Sequence, residues 1–279
     1  MPKVKLDDIE IGYEEQGSGE RTFVFIHGAG GSAESWKRFG LWQLLPLDYH
    51  AYALDVRGHG SLFNVRDKYT YSQAANDVYR ASKKLKLGKF ICVGHSMGGL
   101  IALHLALEYP EVLKALIVVG GTPPGREEKQ TWKEYRIKLE ELLTALQDDP
   151  KALRAALETQ LAPFFSRIVS GSRVQEFLDK QVALAKQPRP VPIPGLALPE
   201  AKTDQELMDL LGKIKVPTLM INGCKDRADM ALRVGSAIPG AKIVLFQGEA
   251  HGIVGESPEK VVGEIVHFVS QLEKTGSGQ

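Results

Sequence analysis

The pattern of apolar and polar positions alternates along most of the chain between short and long segments. The short segments are continuous apolar runs of strand length, and the longer ones repeat apolar residues at helical spacing. Strands that alternate with helices are typical of an α/β fold with a mainly parallel sheet. The pattern predicts an opening hairpin at 3–7 and 9–15, buried strands at 22–26, 50–55, 89–93, 113–119, 218–222 and 243–246, and helices at 32–45, 72–87, 100–108, 230–238 and 257–272.

The alternation stops between about 122 and 200, where no strand-sized run occurs. Segments at about 127–147, 150–160 and 172–186 have helical spacing, and a proline-rich passage at 188–194 follows them. We predict a helical insertion that packs on the sheet, with the prolines as a stiff return segment. A separate small helical domain is the alternative.

Composition excludes several classes of protein. The chain has 279 residues, of which 43% are hydrophobic and 25% charged, so it can bury a core and is not disordered as a whole. Its 35 Lys and Arg against 34 Asp and Glu leave a net charge of +1. Such a balance lacks the basic field that draws in phosphates, so we expect no nucleic-acid partner.

The sequence also predicts a soluble cytoplasmic protein without a membrane partner. No apolar run reaches the roughly 18 residues of a membrane span, and the N-terminus has no apolar signal segment. The two cysteines, Cys92 and Cys224, are too few for a disulfide framework and lie in strand-like contexts. Residues 275–279 are predicted to be a disordered tail.

The strongest chemical motif is Gly-x-Ser-x-Gly at 94–98, centred on Ser96. The motif alone is weak, but here a predicted strand leads in and an apolar helix leads out. This is the context of a nucleophile elbow, in which glycines permit close approach of strand and helix around a strained serine. The N-terminus of the helix then directs its N–H groups at developing negative charge.

A serine hydroxyl needs a base beside it to act as a nucleophile at neutral pH. Of the seven histidines, His251 alone lies in a loop directly after a predicted core strand. Loops that follow parallel strands share one edge of the sheet, so His251 is expected beside Ser96. His95, inside the elbow, is expected to point away from Ser96.

The base in turn needs an acceptor for its second ring nitrogen. Asp226 follows the strand predicted at 218–222 on the same edge of the sheet and is the leading candidate. Asp229 is the alternative, although it is better placed to cap the following helix.

The loop at 27–31, His-Gly-Ala-Gly-Gly, follows the first long core strand. The backbone N–H groups of Ala29 and Met97 are therefore predicted to form an oxyanion hole. A nucleotide-binding role is excluded because neither Gly-x-Gly-x-x-Gly nor Gly-Lys-Ser/Thr is present.

Together these features resemble the α/β-hydrolase fold superfamily, and within it the capped Ser-His-Asp branch of esterases and lactonases. The resemblance covers nearly the whole chain. It rests on the order Ser96, Asp226, His251, on Trp36, on the loop at 27–30, the turn at 55–60 and the elbow at 94–99, and on Gly223-x-x-Asp226.

The resemblance implies a mostly parallel eight-stranded sheet flanked by helices, with a helical cap inserted after the sixth strand. The implied core domain spans 1–122 and 201–274, and the implied cap spans 123–200. Neither a metal nor an organic cofactor is implied. In the family the turn near 60 usually reads Gly-x-Gly-x-Ser, whereas here Ser61 follows Gly60 directly, which indicates a shortened loop.

The expected function is hydrolysis of a small carboxylic ester or lactone through an acyl-enzyme on Ser96. Haloalkane dehalogenases and epoxide hydrolases of this fold carry Asp at the nucleophile position, whereas hydroxynitrile lyases and cofactor-free haloperoxidases share the serine triad. Carbon–carbon bond hydrolysis on the same triad and a small-molecule receptor with little turnover remain alternatives. Candidates for an apolar substrate pocket are Trp36, Leu161, Phe164, Phe165 and the segment 193–196, of which all but Trp36 could equally pack the cap onto the core.

Overall fold

The computed structural model describes residues 1–62, 69–123, 126–168, 174–183, 185 and 203–276. Its strands are β1 (Lys3–Lys5), β2 (Glu10–Gln16), β3 (Arg21–Ile26), β4 (Tyr49–Leu54), β5 (Phe90–His95), β6 (Leu113–Val119), β7 (Thr218–Gly223) and β8 (Lys242–Phe246). Its helices are α1 (Ser35–Arg38), α2 (Tyr71–Lys84), α3 (Met97–Glu108), α4 (Arg126–Ala145), α5 (Pro150–Ile168), α6 (Val174–Ala183), α7 (Asp204–Leu211), α8 (Ala228–Ala237), α9 (Ile253–Glu256) and α10 (Pro258–Gly276).

The strands form one eight-stranded sheet in the order β1-β2-β4-β3-β5-β6-β7-β8. β1 and β2 are antiparallel, and β2 is antiparallel to β4. Every pair from β4 to β8 is parallel. The predicted α/β class with a mostly parallel sheet is therefore confirmed, and the loops after β3, β5, β7 and β8 open at a common edge.

Apolar side chains cover the sheet on both faces because alternate residues of a strand point to opposite sides. In β3, Val24 and Ile26 belong to the core on the face that α2, α3 and α8 cover. Phe23 and Phe25 belong to the opposite core, which α1 and α10 cover. Helix α3 is apolar all round and almost completely buried, as expected for a helix enclosed by a core.

The helix predicted at 32–45 is wrong in its extent. Only α1 is an α-helix there, and a single 3₁₀ turn at Trp42–Leu44 follows it. Between them Gly40 has a φ of 77°, a left-handed conformation that ends a helix and that glycine adopts most easily. A helix absent from the predictions, α7, begins at a capping box in which Thr203 and Glu206 satisfy each other's backbone N–H groups.

Helices α4, α5 and α6 lie in the chain between β6 and β7, where a helical insertion was predicted. Their apolar side chains form a cluster of their own, which consists of Leu142, Leu143, Leu153, Leu157, Leu161, Leu178 and Ala185. The proline-rich passage at 188–194 lies outside the described residues. The boundaries of core and cap remain predictions.

Three smaller expectations concern the cysteines, the membrane and the C-terminus. Cys92 and Cys224 are both free thiols. None of the described helices combines the length and apolar character that crossing a bilayer requires. Helix α10 continues to Gly276, into the tail predicted to be disordered at 275–279, and the residues beyond it lie outside the described ranges.

Candidate active site

Ser96 lies at a sharp turn between β5 and α3. Its backbone has a φ of 53° and a ψ of −115°, a conformation that costs free energy for a residue with a side chain and is concentrated at functional sites. A Cβ on Gly94 would overlap the carbonyl of Gly98, and one on Gly98 would overlap the carbonyl of Ile26. Glycine is therefore required on both sides of Ser96 because strand and helix approach so closely.

His251 connects the serine to a carboxylate. Its Nε2 is 2.7 Å from the Oγ of Ser96, and its Nδ1 is 2.7 Å from Oδ2 of Asp226. Asp226 lies in the loop after β7 and His251 in the loop after β8, so three loops at one edge of the sheet supply the three groups. A base hydrogen-bonded to both a hydroxyl and a carboxylate can remove the proton of the hydroxyl and remain oriented while it does so.

The carboxylate of Asp226 is almost completely buried. Burial alone would raise its pKa, but the favourable charges and hydrogen bonds of His251 and Arg227 outweigh burial and lower the pKa below its ordinary value. The side-chain amide of Asn222 donates to the backbone carbonyl of Asp226 at 2.8 Å, which fixes the loop. Asp226 is thus held ionised and ready to stabilise a positive imidazolium.

Asp229, the alternative acid, is not part of this hydrogen-bonded chain. It lies in the first turn of α8, and that helix has no side-chain cap because Arg227 occupies its N-cap position. The expectation that Asp229 caps the helix is therefore wrong. Its exposed carboxylate lies instead near the positive end of the helix dipole, which favours a negative charge.

The predicted oxyanion donors flank Ser96. Met97 is the first residue of α3, and an N–H in the first turn has no acceptor within its own helix. The loop that carries Ala29 passes close to the nucleophile, since a Cβ on Gly28 would lie 3.3 Å from Cβ of Ser96. Ala29 itself is exposed. The assignment of both N–H groups to an oxyanion hole remains a prediction.

Two further histidines, His27 and His95, support the site without belonging to the hydrogen-bonded chain from Ser96 to Asp226. Nε2 of His27 accepts a hydrogen bond from the backbone of Val56, and Nδ1 donates to the carbonyl of Gly28 at 2.8 Å. Burial, with repulsion from His59, lowers the pKa of His27 to about 3. The ring is therefore neutral near pH 7 and braces the loop that carries Ala29.

His95 lies beside His251, with ring centroids 5.4 Å apart, a contact that the sequence pattern does not reveal. Its Nε2 donates to the backbone carbonyl of His251 at 3.1 Å. Desolvation, together with the neighbouring His251, lowers the pKa of His95 to about 3. A neutral His95 therefore joins the elbow to the loop of the base without adding a charge next to it.

Two of the candidate pocket residues pack within apolar cores, the segment 193–196 lies outside the described residues, and the pocket itself remains a prediction. Trp36 is buried in the core and packs on Phe25, with ring centroids 5.0 Å apart. Leu161 belongs to the apolar cluster that α4, α5 and α6 share. Packing thus accounts for both residues without a substrate. Phe164 and Phe165 lie in α5, and their side chains are outside the described residues.

Within the described ranges, no group of three or more His, Cys, Asp and Glu side chains is arranged to hold a metal ion. The site consists of a buried carboxylate, a half-buried imidazole, a strained serine and backbone N–H groups at a helix N-terminus. These are the components of nucleophilic attack on a carbonyl carbon.

A family model for the alpha/beta hydrolase fold matches residues 21–258. The chain belongs to the alpha/beta hydrolase fold family. Membership confirms the predicted fold and the predicted resemblance, and Ser96 and Asp226 lie within the matched residues. His251 lies within the matched residues as well.

The relatives of this hydrolase differ in what they are named for. It is 25% identical over 276 residues to the 2-hydroxy-6-oxononadienedioate/2-hydroxy-6-oxononatrienedioate hydrolase of Paraburkholderia xenovorans, with 94% of this chain and 91% of the relative covered. It is 24% identical over 255 residues to the pimeloyl-[acyl-carrier protein] methyl ester esterase of Vibrio atlanticus, with 89% and 94% covered. Membership in the family is therefore compatible with more than one hydrolytic substrate.

Among solved structures, this hydrolase is similar to a thermophilic esterase from Thermogutta terrifontis. The TM-score is 0.73 at 21% identity, and the alignment covers 98% of this chain and 99% of the esterase. At this identity the likeness supports the fold alone.

Proposed function

We propose that the protein is a serine hydrolase that cleaves a small carboxylic ester or lactone through an acyl-enzyme on Ser96. The observation that carries the proposal is the continuous hydrogen-bonded chain from Ser96 through His251 to Asp226. A relative named as a methyl ester esterase adds support for ester chemistry.

In the proposed reaction, Nε2 of His251 takes the proton of Ser96 as the serine Oγ attacks the carbonyl carbon. The N–H groups of Met97 and Ala29 stabilise the oxyanion of the tetrahedral intermediate, which is typically worth about 10²–10³ in kcat per donor. The alcohol leaves with the proton from His251. Water, deprotonated by His251, then attacks the acyl-enzyme and releases the acid.

The test is a stopped-flow time course with p-nitrophenyl acetate and p-nitrophenyl butyrate. We expect a burst that depends on Ser96, followed by sustained turnover, and a loss of about 10⁴–10⁶ in kcat in Ser96→Ala. Ser270→Ala serves as the matched control because, among the described residues, the Ser270 hydroxyl donates to the carbonyl of His267 in its own helix. Full activity in Ser96→Ala would disprove the proposal, and a burst of about one equivalent without turnover would favour a receptor.

Carbon–carbon bond hydrolysis on the same three residues is the second candidate. It is favoured by the relative named as a 2-hydroxy-6-oxononadienedioate hydrolase, since that compound contains no ester, and its hydrolysis must break a carbon–carbon bond. A vinylogous diketone acid of this type, tested beside the two esters, separates the candidates. Turnover of the diketone with no turnover of either ester would replace the first proposal by the second.

A further inference from the structure

Arg227, directly after Asp226 in the chain, has an unusual backbone. Its φ is 49° and its ψ is 48°, so a long side chain occupies the left-handed region that glycine and asparagine normally fill. A conformation of this kind costs on the order of 1–3 kcal/mol and persists only where the surroundings enforce it. The contacts of the Arg227 side chain therefore indicate what holds this backbone conformation.

The guanidinium of Arg227 lies against the carboxylate of Asp226. Nε of the arginine is 3.5 Å from Oδ1 of Asp226, whereas His251 binds the other oxygen, Oδ2. The side chains of Arg227 and Asp226 are only 9% and 4% exposed, respectively. Both carboxylate oxygens thus have a partner, and the interaction is shielded from water, where a charge has a stronger effect than at the surface.

The same guanidinium also binds a second loop. Its Nη1 donates to the backbone carbonyl of Thr122 at 3.1 Å. Thr122 follows β6 and precedes α4, so it lies where the chain leaves the sheet for the helical insertion. Arg227 therefore connects the loop of Asp226 to the start of that insertion.

We propose that Arg227 is a positioning residue, which fixes the carboxylate of Asp226 for His251 and places a buried positive charge beside that carboxylate. This inference rests on the proposed function. Asp226 is the negative group in contact with the imidazole, Arg227 lies at the other oxygen of that carboxylate, and the neutral His95 lies beside the ring. Glu249, two residues earlier in the same loop as His251, is paired with Lys260 and is also close enough to Lys225 for its charge to act on it. Arg227 therefore contributes a buried positive charge next to the acid that contacts the base.

The experiment compares Arg227→Met, Arg227→Lys and Arg233→Met. Arg233 is the matched control because it lies on α8 and pairs with Asp204 at the exposed surface. Two readouts are used for each variant: the pH profile of kcat/KM and the titration of the His251 imidazole, followed by NMR and assigned with His251→Asn.

In Arg227→Met we expect the acid limb and the imidazole titration to move to higher pH by a few tenths to about one unit. We also expect kcat to fall about 10–100-fold from misplacement of the base, with KM changed less than about threefold. Arg227→Lys should return the titration midpoint towards the wild-type value but restore only part of kcat. Arg233→Met should match the wild type in both readouts.

Arg227→Gly keeps the test decisive if the methionine variant does not fold, because glycine accepts the left-handed backbone without strain. It should fold, because relief of the backbone strain offsets part of the lost contacts, and it should show the same shift in titration midpoint. An imidazole titration in Arg227→Gly that coincides with that of Arg233→Met would overturn the inference. Absence of Ser96-dependent turnover in the wild type would instead disprove the proposed function, and the NMR titration would still decide the role of Arg227.

Discussion

The loops that carry the candidate active site and the helices of the insertion are held in place by different interactions. Ser96 follows β5, Asp226 follows β7 and His251 follows β8, and each of these strands is fixed by backbone hydrogen bonds to a neighbouring strand. Helices α4, α5 and α6 are joined to one another by a small cluster of leucines and one alanine. The first arrangement is set by the backbone and the second by the shapes of a few side chains.

This difference predicts that the two regions tolerate sequence change differently. In the elbow, glycines at 94 and 98 are required by overlap with backbone carbonyls, so almost no other residue fits. In the insertion, a leucine can be exchanged for another apolar residue of similar volume at modest cost. The candidate catalytic residues therefore lie in the region that is expected to tolerate less change.

After the loss of Ser96 itself, the largest effect is expected from Asp226→Asn. The amide cannot stabilise the imidazolium and favours the wrong tautomer of His251, so kcat should fall by about 10³–10⁴. Asp229→Asn is the matched control, three positions along the chain and outside the hydrogen-bonded chain. Steady-state kinetics on the best ester measures both variants. Equal losses in the two would contradict the assignment of Asp226.

A pair of leucine-to-alanine changes tests whether the two regions are independent. Leu103 in α3 and Leu157 in α5 are both fully buried, so each change should remove about 2–5 kcal/mol of local stability. Leu103→Ala should lower the global free energy of unfolding. Leu157→Ala should increase hydrogen exchange in α4, α5 and α6, raise KM and leave α3 protected.

Hydrogen exchange followed by mass spectrometry resolves the two cases. Loss of protection in α3 as large as that in α5 after Leu157→Ala would show that the insertion and the sheet form one cooperative unit. Increased exchange confined to α4, α5 and α6 would show that the insertion opens independently of the sheet.

The smallest expected effect is on how the free energy of unfolding changes in acid. Burial lowers the pKa of His27 from 6.5 to about 3, so between these values the unfolded chain binds a proton that the folded chain does not. The stabilisation by neutral His27 is complete above pH 6.5 and declines as the pH falls towards 3. At pH 5 the loss is on the order of 2 kcal/mol.

His27→Gln should therefore reduce the decrease in melting temperature between pH 7 and pH 5. The side-chain amide of glutamine supplies an acceptor for the N–H of Val56 but does not titrate. His267→Gln is the control, since His267 is exposed on α10 and should leave the pH dependence unchanged. Parallel slopes for wild type and His27→Gln would show that this histidine does not govern acid stability.

Much of the fold could be predicted from sequence because local patterns carry it. Continuous apolar runs identified the strands, and the glycines around Ser96 indicated the elbow. The strand-end argument singled out Asp226 and His251, which the structure brings within hydrogen-bonding distance of each other and of Ser96. Their catalytic role remains a prediction.

Other features could not be read from the pattern because they depend on distant contacts. Arg227 binds the carbonyl of a residue 105 positions away, and His95 one that is 156 positions away. Neither contact is visible in the periodic pattern of apolar and polar residues. The extent of the helix predicted at 32–45 was decided by the left-handed backbone of Gly40, whereas the capping box before α7 was a local signal that sequence reasoning missed.

The most direct test of Ser96 as a nucleophile activated by His251 is the reaction of the protein with a small fluorophosphonate. The reaction is followed by intact mass and peptide mapping over a range of pH. We expect one adduct per chain on Ser96 and none in Ser96→Ala. We also expect the labelling rate to fall in acid as His251, the base, is protonated. Equal labelling of Ser96→Ala, or a rate independent of pH down to pH 4, would contradict a serine activated by His251.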